Sequence, residues 1–474
     1  MITTVLIANR GEIALRIART CREMGLRTVA VHSTVDADTP VVRVADESVC
    51  IGPPEAQRSY LYMAALLEAA RVTGADAVHP GYGFLSESAD FARACEEEGL
   101  VFVGPGSGVL ERLGDKATAR KVMADNGIPV LPGSERAVES PAHAREAAER
   151  IGYPLLVKAV AGGGGRGIRL VREPSEIETG YTATRALARD LFDDDRVYLE
   201  RWVPDARHVE VQILGDSHGN IVHLGERDCS VQRRRQKLVE ESPAPALNRS
   251  VTDRMAEAAI RGAKSVGYVN AGTFEFLVAP DGEFHFTEVN CRLQVEHPVT
   301  EAVTGIDLVR EQLLIAAGHR LGFGQHDLEH RGSAIECRIN AEDPRRGFVP
   351  TPGRLTGFVP PGGPFTRVDT HGYAGYVIPP DYDPLIAKVI TWGPDRSAAL
   401  ARMRRALAEF EVEGPGVHTT TGFLTRVLTQ ERFVAGEHTT SLVDDMHRTD
   451  RAEEGSWHSD PAPEAHEDES SSRA

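Results

Sequence analysis

The sequence has few cysteines and no long hydrophobic run. Its 474 residues include only six cysteines, which are scattered and form no C-x-x-C pair. This pattern excludes a disulfide framework and a cysteine-based zinc site, and it favours reduced thiols in the cytoplasm. No stretch approaches the ~20 apolar residues that a membrane span requires, and the first ten residues lack the regions of a signal peptide. We therefore expect a cytoplasmic protein without a membrane contact.

The sequence also lacks an excess of positive charge, because 70 acidic residues outnumber 53 lysines and arginines and the formal net charge is -17. Binding to phosphate backbones requires clustered basic residues, so the negative net charge argues against a general nucleic-acid binder. Part of the negative charge lies in residues 448–474, where the run E-A-H-E-D-E-S-S-S shows no apolar periodicity. We expect this acidic tail to be disordered. It is either a partner contact or a solvating appendage, and its composition favours the second.

Short apolar runs alternate with helical patterns near the N terminus. Val5–Ala8 and Thr28–Val31 have the pattern of buried strands, and between them Ile13, Ile17 and Met24 recur at helical spacing. Strands that alternate with helices predict a parallel sheet covered by helices. No G-x-G-x-x-G follows the first strand, so a dinucleotide site is not supported.

A glycine-rich segment follows a predicted strand that carries one lysine. Lys158 lies in the strand 154–159, and residues 161–168 read A-G-G-G-G-R-G-I. Glycine lets backbone N–H groups approach phosphates without obstruction by a Cβ atom. The segment is not a Walker A motif, which requires G-K-[ST]. A glycine run alone is more often a flexible loop, but the preceding lysine favours a lid over phosphates.

Two predicted strands, 271–278 and 284–290, are separated by the turn sequence A-P-D-G. Pro, Asp and Gly in succession are typical of a tight turn, so the pair predicts a β-hairpin. A four-residue loop would pair Glu275 with Phe286 and place Glu288 diagonally across from Glu275.

Three oxygen-bearing side chains would then share one face of this hairpin. Glu288 and Asn290 are two residues apart on one strand, and Glu275 points to the same side from the other. Carboxylates that converge in this way repel each other unless a cation lies between them, and hard oxygen ligands suit Mg²⁺. A solvated strand face is the alternative, but it fits poorly because Glu275 lies between Phe274 and Phe276.

The second strand continues into a long motif, E-V-N-C-R-L-Q-V-E-H-P-V-T-E, at residues 288–301. This motif closely resembles the catalytic signature of biotin carboxylases, which belong to the ATP-grasp ligases. The runs H-P-G-Y-G-F-L-S-E at 79–87, R-D-C-S-V-Q-R-R-R-Q-K at 227–237 and Y-D-P-L-I-A-K at 382–388 extend the resemblance. It covers about residues 2–440.

The resemblance implies a protein of α/β and α+β class with an ATP-grasp fold. An N-terminal parallel-sheet α/β domain and a C-terminal mixed α+β domain would flank the ATP-grasp domain. The expected boundaries are 1–113 for the N-terminal domain, 114–330 for the ATP-grasp domain with a lid subdomain at about 131–203, 331–447 for the C-terminal domain and 448–474 for the acidic tail.

The resemblance also assigns roles to individual residues. The implied catalytic residues are Glu296, Arg292, Arg338 and Lys237. The implied metal ligands, for Mg²⁺ or Mn²⁺, are Glu275, Glu288 and Asn290. The implied cofactor-binding residues are Lys116, Lys158, Gly163, Gly164, Gly165, Gly167, Glu200, Arg201, Val203, His208, Gln232, Gln294 and Val295. Two positions depart from common family patterns, because Arg201 often corresponds to lysine and Arg235 to histidine or asparagine.

The implied reaction activates bicarbonate with ATP to carboxyphosphate and then carboxylates biotin. Lys237, Arg292, Gln294 and the backbone N–H of Val295 would bind bicarbonate. Glu296 would be the general base, and Arg338 would stabilise the enolate-like charge of biotin.

Several residues allow simpler interpretations from the sequence alone. Lys116 could be a surface lysine, His208 an ordinary core histidine and Arg338 an ion-pair partner of Glu336. Cys229 and Cys291 are more readily interpreted as small packing residues than as nucleophiles.

The sequence contains no A-M-K-M-like biotinylation motif and no room for a carboxyltransferase domain. We therefore expect partners, namely a biotin carboxyl carrier protein and a carboxyltransferase subunit of an acetyl-, propionyl- or other acyl-CoA carboxylase, and the family suggests a homodimer. Two alternatives remain. Other ATP-grasp ligases share the phosphate and metal chemistry but lack the R-L-Q-V-E-H and C-R-I-N-A-E pair. An inactive assembly subunit would have lost lysines, acids or Glu296, and none is lost.

Overall fold

The computed structural model describes residues 2–134, 136–161 and 167–456, with side chains described up to residue 450. Three residues of the predicted phosphate lid, Gly163, Gly164 and Gly165, lie outside the described residues, as does the part of the predicted tail at 457–474. Within the described part of the chain, no helix is both long and apolar enough to cross a membrane.

The N-terminal region contains a parallel sheet. Its strands are β1 (Thr4–Ile7), β2 (Arg27–Ser33), β3 (Glu47–Gly52), β4 (Ala77–His79) and β5 (Val101–Phe102). The helices of this region are α1 (Gly11–Glu23), α2 (Pro40–Val44), α3 (Met63–Thr73), α4 (Ala89–Glu97) and α5 (Ser107–Gly114). The strand order is β3-β2-β1-β4-β5, and all four side chains of the central strand β1 are buried. The predicted parallel sheet is therefore confirmed.

A small antiparallel sheet follows. Its strands are β6 (Leu155–Ala159), β7 (Ile168–Val171) and β8 (Val197–Arg201), and the helices around it are α6 (Lys116–Asp125), α7 (Pro141–Ile151) and α8 (Ile177–Phe192). Strand β6 lies in the middle. Val157 joins the hydrophobic core that contains residues of α7 and α8. Because side chains alternate along a strand, Lys158 points to the opposite face.

The largest sheet is antiparallel and combines strands from the middle and the C-terminal parts of the chain. Its strands are β9 (Arg207–Gly215), β10 (Ile221–Arg233), β11 (Gln236–Ser242), β12 (Asn270–Val278), β13 (Phe284–Asn290), β14 (Ser333–Asn340), β19 (Thr366–Thr370) and β21 (Leu385–Gly393). They lie in the order β13-β12-β9-β10-β11-β14-β21-β19. One continuous sheet therefore places residues from about 207 to 393 side by side.

Three two-stranded sheets, seven further α-helices and five short 3₁₀ helices complete the described structure. The sheets pair β15 (Glu342–Asp343) with β16 (Val349–Pro350), β17 (Gly353–Arg354) with β20 (Val377–Ile378), and β18 (Gly357–Val359) with β22 (Glu411–Glu413). The helices are α9 (Arg249–Val266), α10 (His297–Thr304), α11 (Leu308–Ala316), α12 (Arg396–Glu409), α13 (Thr421–Val427), α14 (Glu431–Val434) and α15 (Leu442–Ser456). Residues 448–456 of the tail that the sequence predicts to be disordered are thus helical.

Strands β12 and β13 form the predicted hairpin, but the predicted register is wrong. Glu275 pairs with Glu288, whereas Phe286 pairs with Phe276. The register shifts between these two pairs, which leaves Thr287 as the extra residue of a β-bulge. The bulge brings the two carboxylates directly opposite each other instead of diagonally.

Aromatic packing fixes which face of the hairpin carries the acids. The rings of Phe274 and Phe286 lie in the core that also contains residues of α9. Gly262 of α9 packs so closely that a Cβ atom there would lie 2.7 Å from the Phe274 ring. Since Glu275 alternates with Phe274, its carboxylate lies on the face away from α9.

Candidate active site

Lys237 lies at the centre of a cluster of buried carboxylates. Its Nζ atom lies 2.6 Å from Glu210, 2.9 Å from Glu275 and 2.6 Å from Glu296. Burial alone would lower the pKa of Lys237, but these three carboxylates outweigh burial and raise the pKa well above its ordinary value. Lys237 is therefore an ammonium group that holds three strands of the site and the Glu296 segment together.

Glu296 is fully buried and directly precedes helix α10. Its Oε1 atom accepts a hydrogen bond from Lys237 at 2.6 Å, and its Oε2 atom accepts one from Arg338 at 2.9 Å. Burial alone would raise the pKa of Glu296, but Lys237, Arg338 and Arg227 hold it well below its ordinary value. The carboxylate is thus ionised and fixed in orientation by two cations.

Arg338 connects Glu296 to a second buried acid. Its guanidinium donates to Oε1 of Glu240 at 2.6 Å and to Glu296. Arg338 therefore pairs with these two acids instead of Glu336, the partner that the sequence left open. Burial raises the pKa of Glu240 to about 7 although Arg338 opposes this shift.

The three predicted metal ligands converge as oxygen-bearing groups. Glu275 lies opposite Glu288, and the Asn290 side-chain amide donates to Oε1 of Glu275 at 2.8 Å. His208 Nε2 lies 3.0 Å from Oε2 of Glu275, so His208 belongs to the cluster and is not an isolated core histidine. Two carboxylates and an amide form a hard donor set that fits Mg²⁺ or Mn²⁺.

Cations of the protein balance these two acids. Lys116 Nζ lies 2.7 Å from Glu288, and this lysine is mostly buried, which contradicts the simpler interpretation as a surface lysine. Burial alone would raise the pKa of Glu288, but Lys116 lowers it below its ordinary value. Burial is also outweighed at Glu275, where Lys237 and His208 lower the pKa well below its ordinary value.

A second group of charges surrounds Glu200 in the small antiparallel sheet. Lys158 Nζ donates to Oε2 of Glu200 at 2.8 Å, and Arg120 of α6 contacts the other oxygen. Lys158 also lies 5.4 Å from the centre of the Tyr198 ring. Burial would lower the pKa of Lys158, but Glu200 and Tyr198 raise it. Lys158 of β6 and Glu200 of β8 thus form an ion pair between two strands of one sheet.

Not every predicted cofactor-binding residue joins these groups. Arg201 is exposed, and its guanidinium donates to the Ile151 carbonyl oxygen instead of pointing to Glu200. Val203 lies just after β8 and is half-buried. Gln232 is closer to the centre, because it pairs with Lys237 across β10 and β11. Gly167 has a positive φ of 71°, which a residue with a side chain rarely adopts.

The segment between β13 and α10 is held by contacts from distant parts of the chain. Arg292 donates to Glu87 at 2.8 Å and to Gln294 at 2.9 Å. Glu87 also accepts the Cys291 backbone N–H at 2.9 Å, so the loop 79–87 helps to hold this segment. The Val295 carbonyl oxygen accepts a hydrogen bond from Lys388 at 2.8 Å.

Sequence reasoning missed several charged residues that form the site. They are Glu87, Arg120, Glu210, Arg227, Glu240 and Lys388. Glu210 could have been found, because it lies two residues after His208 on one strand and therefore on the same face. The others contact residues that are distant from them in sequence, so only the fold brings them to the site. Cys229 and Cys291 are buried, and burial raises the pKa of both thiols, which fits packing residues better than nucleophiles.

Family models match three consecutive parts of the chain. Residues 1–110 match the biotin carboxylase N-terminal domain, residues 115–323 match the ATP-binding domain of the carbamoyl-phosphate synthase L chain, and residues 336–445 match the biotin carboxylase C-terminal domain.

Curated relatives and solved structures agree with these matches. A biotin carboxylase from Nostoc sp. is 51% identical over 444 residues, which cover 94% of this chain and 99% of the relative. Biotin carboxylase 1 of Bacillus subtilis is 50% identical over 445 residues, which cover 94% of this chain and 98% of the relative. The crystal structure of a biotin carboxylase–β,γ-ATP complex from Campylobacter jejuni has a TM-score of 0.91 and 43% identity, covering 94% of this chain and 99% of that one.

A further structure is the biotin carboxylase domain dimer of the Hydrogenobacter thermophilus 2-oxoglutarate carboxylase, described with MgADP, ADP and bicarbonate. It has a TM-score of 0.92 and 44% identity, with coverage of 94% of this chain and 98% of that one. Identity of this degree over nearly the whole length, together with the converging acids and cations of the site, shows that the chain belongs to the biotin carboxylase family of ATP-grasp ligases.

Proposed function

We propose that this chain carboxylates biotin on a separate carrier protein, using ATP and bicarbonate, as the first half-reaction of an acyl-CoA carboxylase. The observation that carries the proposal is the placement of Glu296 between Lys237 and Arg338. One ionised acid there lies between a cation suited to bicarbonate and an arginine suited to an enolate oxygen.

Lys116, Lys158 and the glycine-rich segment would hold the triphosphate. Glu200 would lie beside the adenine base of the nucleotide. Glu275, Glu288 and Asn290 would hold Mg²⁺ or Mn²⁺, which when bound neutralises negative charge on phosphate oxygens. The contacts of Lys116 with Glu288 and of Lys158 with Glu200 support this arrangement, because they place both lysines beside the acids.

Lys237 and Arg292 would bind bicarbonate, with Gln294 and the backbone N–H of Val295. A bicarbonate oxygen attacks the γ-phosphorus of ATP, ADP leaves, and Glu296 accepts the bicarbonate proton. The carboxyphosphate formed breaks into CO₂ and phosphate. The phosphate takes the proton of the biotin ureido nitrogen, and this nitrogen then forms a bond to CO₂.

Arg338 would stabilise the negative charge that develops on the ureido oxygen of biotin during this last step. Its fork already holds two carboxylates, Glu240 and Glu296, in the absence of substrate. Arg is suited to this role because its charge is permanent and its donors are arranged in a plane. Protonation of Glu296 would weaken its ion pair with Arg338, and the guanidinium could then contact biotin.

The acceptor carboxylase is part of the proposal. Relatives of this chain include a pyruvate carboxylase subunit of Methanothermobacter thermautotrophicus, 47% identical over 448 residues, and the 2-oxoglutarate carboxylase domain described above. An acyl-CoA, pyruvate or 2-oxoglutarate would enter at a carboxyltransferase partner. We propose that the carboxyltransferase partner acts on an acyl-CoA. We also propose that this chain forms a homodimer and that its domains lie at 1–113, 114–330 and 331–447. A cytoplasmic location stays a prediction.

The test is ATP hydrolysis by the purified chain with Mg²⁺ and bicarbonate, with and without free biotin. We expect biotin to stimulate ATP turnover and acid-labile carboxybiotin to appear. ATP turnover that requires bicarbonate but ignores biotin would contradict biotin as the direct acceptor. ATP binding without any turnover would favour the inactive assembly protein instead.

A further inference from the structure

Four arginines form one surface beside the site, which we call the arginine patch. Its members are Arg233, Arg234, Arg345 and Arg346. Arg233 ends β10, and Arg345 and Arg346 belong to the short turn after β15. The two segments touch, because Arg233 Nη2 donates to the Gly347 carbonyl oxygen at 2.6 Å, and the Arg233 guanidinium lies 4.3 Å from the centre of the Phe348 ring.

The patch is not neutralised by the protein. Among the residues that the structure describes, no carboxylate forms an ion pair with any of its four arginines, although the chain has a net charge of -17. Glu342 and Asp444 attract Arg233 only from beyond ion-pair distance. Arg234, Arg345 and Arg346 are exposed. A cluster of unpaired cations on an acidic protein produces a local positive potential that attracts an acidic partner.

The backbone at the tip of the β10–β11 hairpin supports a functional role for its side chains. Arg234 has a φ of 47° and Arg235 a φ of 67°. Such left-handed positions in a tight hairpin turn ordinarily hold asparagine or glycine. Arginine there is conformationally unfavourable, which points to a role for the side chain that offsets the strain.

The arginine patch borders the strands that carry the chemistry. Lys237 lies three residues after Arg234, and at ~3.3 Å per residue their Cα atoms are no more than about 10 Å apart. Arg338 lies on β14, and the chain continues from that strand through β15 directly into Arg345. The patch therefore lies near the ends of the strands that carry Lys237 and Arg338.

We propose that the arginine patch docks an acidic face of the carrier protein that presents biotin. This inference rests on the proposed function, because it assumes a biotin that arrives on a protein. Charge complementarity favours this occupant, and Val349 next to the patch is 49% exposed and offers an apolar contact. A nucleotide is a poorer fit, because Lys116 and Lys158, which we propose to hold its phosphates, lie beside Glu288 and Glu200 and not in the patch.

The test compares free biotin with a purified, biotinylated carrier domain of net negative charge as alternative substrates. The variant is Arg345→Glu combined with Arg346→Glu. We expect kcat/KM for free biotin to stay within about twofold, whereas KM for the carrier rises about tenfold or more, since a charged surface changes association by 10–10³. The carrier KM of the unmodified chain should also rise with ionic strength, and that of the variant should change little.

A matched control carries the same change of charge elsewhere. Arg261 and Lys264 are exposed on α9, which covers the face of the hairpin opposite to Glu275. Arg261→Glu with Lys264→Glu should leave the carrier KM within about twofold. An equal rise in both variants would assign the effect to net charge and overturn a specific docking surface.

The other outcomes separate the two proposals. If the unmodified chain does not carboxylate free biotin or carrier, the proposed function fails. If free biotin is carboxylated and the patch variant keeps a normal carrier KM, only the docking proposal fails. A patch variant with a raised KM for ATP would assign the arginines to the nucleotide and likewise overturn docking.

Discussion

Lys388 gives the sharpest prediction, because it connects three distant parts of the chain behind the proposed bicarbonate site. It is fully buried on β21, and its Nζ atom lies 2.9 Å from Glu12 of α1. The same atom donates to the Val295 carbonyl oxygen at 2.8 Å. Tyr82 also contacts Glu12, so the loop 79–87 joins this group. We infer that Lys388 positions the Val295–Glu296 segment.

Replacement of Lys388 by methionine would have two separable consequences. Breaking a buried ion pair leaves Glu12 as an uncompensated charge, which costs about 3–5 kcal/mol of folding stability. Loss of a hydrogen bond from a charged donor to the Val295 carbonyl costs about 1.5–3 kcal/mol more. Only the second loss acts on the segment that would hold bicarbonate. If it is expressed fully in the transition state, it corresponds to a rate decrease of about 10- to 160-fold.

The double variant Glu12→Gln with Lys388→Met distinguishes the two consequences. Removing both charges together should recover much of the thermal stability, because Glu12 is then no longer left as an uncompensated buried charge. The Val295 carbonyl would still lack its donor. We expect kcat/KM for bicarbonate to remain reduced by at least about tenfold, while KM for ATP stays within about twofold of the unmodified chain.

Thermal unfolding and steady-state kinetics with varied bicarbonate and varied ATP provide the measurements. A double variant that unfolds at the original temperature and also uses bicarbonate normally would refute the positioning role, because Lys388 would then be a structural ion pair. A double variant whose KM for ATP rises as much as its KM for bicarbonate would refute the assignment to this segment.

Three further predictions concern the remaining charged groups. Glu296→Gln should retain ATP binding but lose carboxylation by about 10²- to 10⁴-fold; near-normal turnover would refute the general-base role. Arg338→Ala should lower the rate of biotin carboxylation more than it affects ATP binding, whereas a large rise in KM for ATP with unchanged kcat would contradict its role. Burial and Arg10 lower the pKa of His371 to about 3, so below pH ~6.5 the unfolded chain takes up a proton that the folded chain does not. The stability that this histidine contributes is present above that pH and is lost by about 1.4 kcal/mol per unit as pH falls towards 3. The thermal unfolding midpoints at pH 7 and pH 5 should therefore differ less in His371→Asn than in the unmodified chain. An equal difference in both proteins would contradict the assignment of this pH dependence to His371.

Features encoded within one segment could be predicted from the sequence. Glu288, Asn290 and Arg292 alternate along one strand and its extension, and this alternation predicts a common face without knowledge of the rest of the fold. The parallel sheet at the N terminus follows from local periodicity in the same way, and it is confirmed. The functional roles of these residues stay predictions.

Features that depend on pairing between segments could not be predicted. The alternation of β12 and β13 indicates which residues share a face, but a bulge at Thr287 changes which residue lies opposite Glu275. No turn signal in the sequence around Thr287 marks this bulge. Lys388 and Glu240 were missed for a related reason, because each contacts the Glu296 segment only through strands distant in sequence.

The shared contacts also determine which substitutions can be interpreted. Lys237 binds three carboxylates at once, so its removal would disturb Glu210, Glu275 and Glu296 together, and effects of such coupled residues are not additive. Arg338 reaches Glu296 from one side, and Lys388 reaches the preceding carbonyl from another. Because Arg338 and Lys388 contact different atoms of the same short segment, their variants separate charge stabilisation at biotin from positioning of the base, which a Lys237 variant would merge.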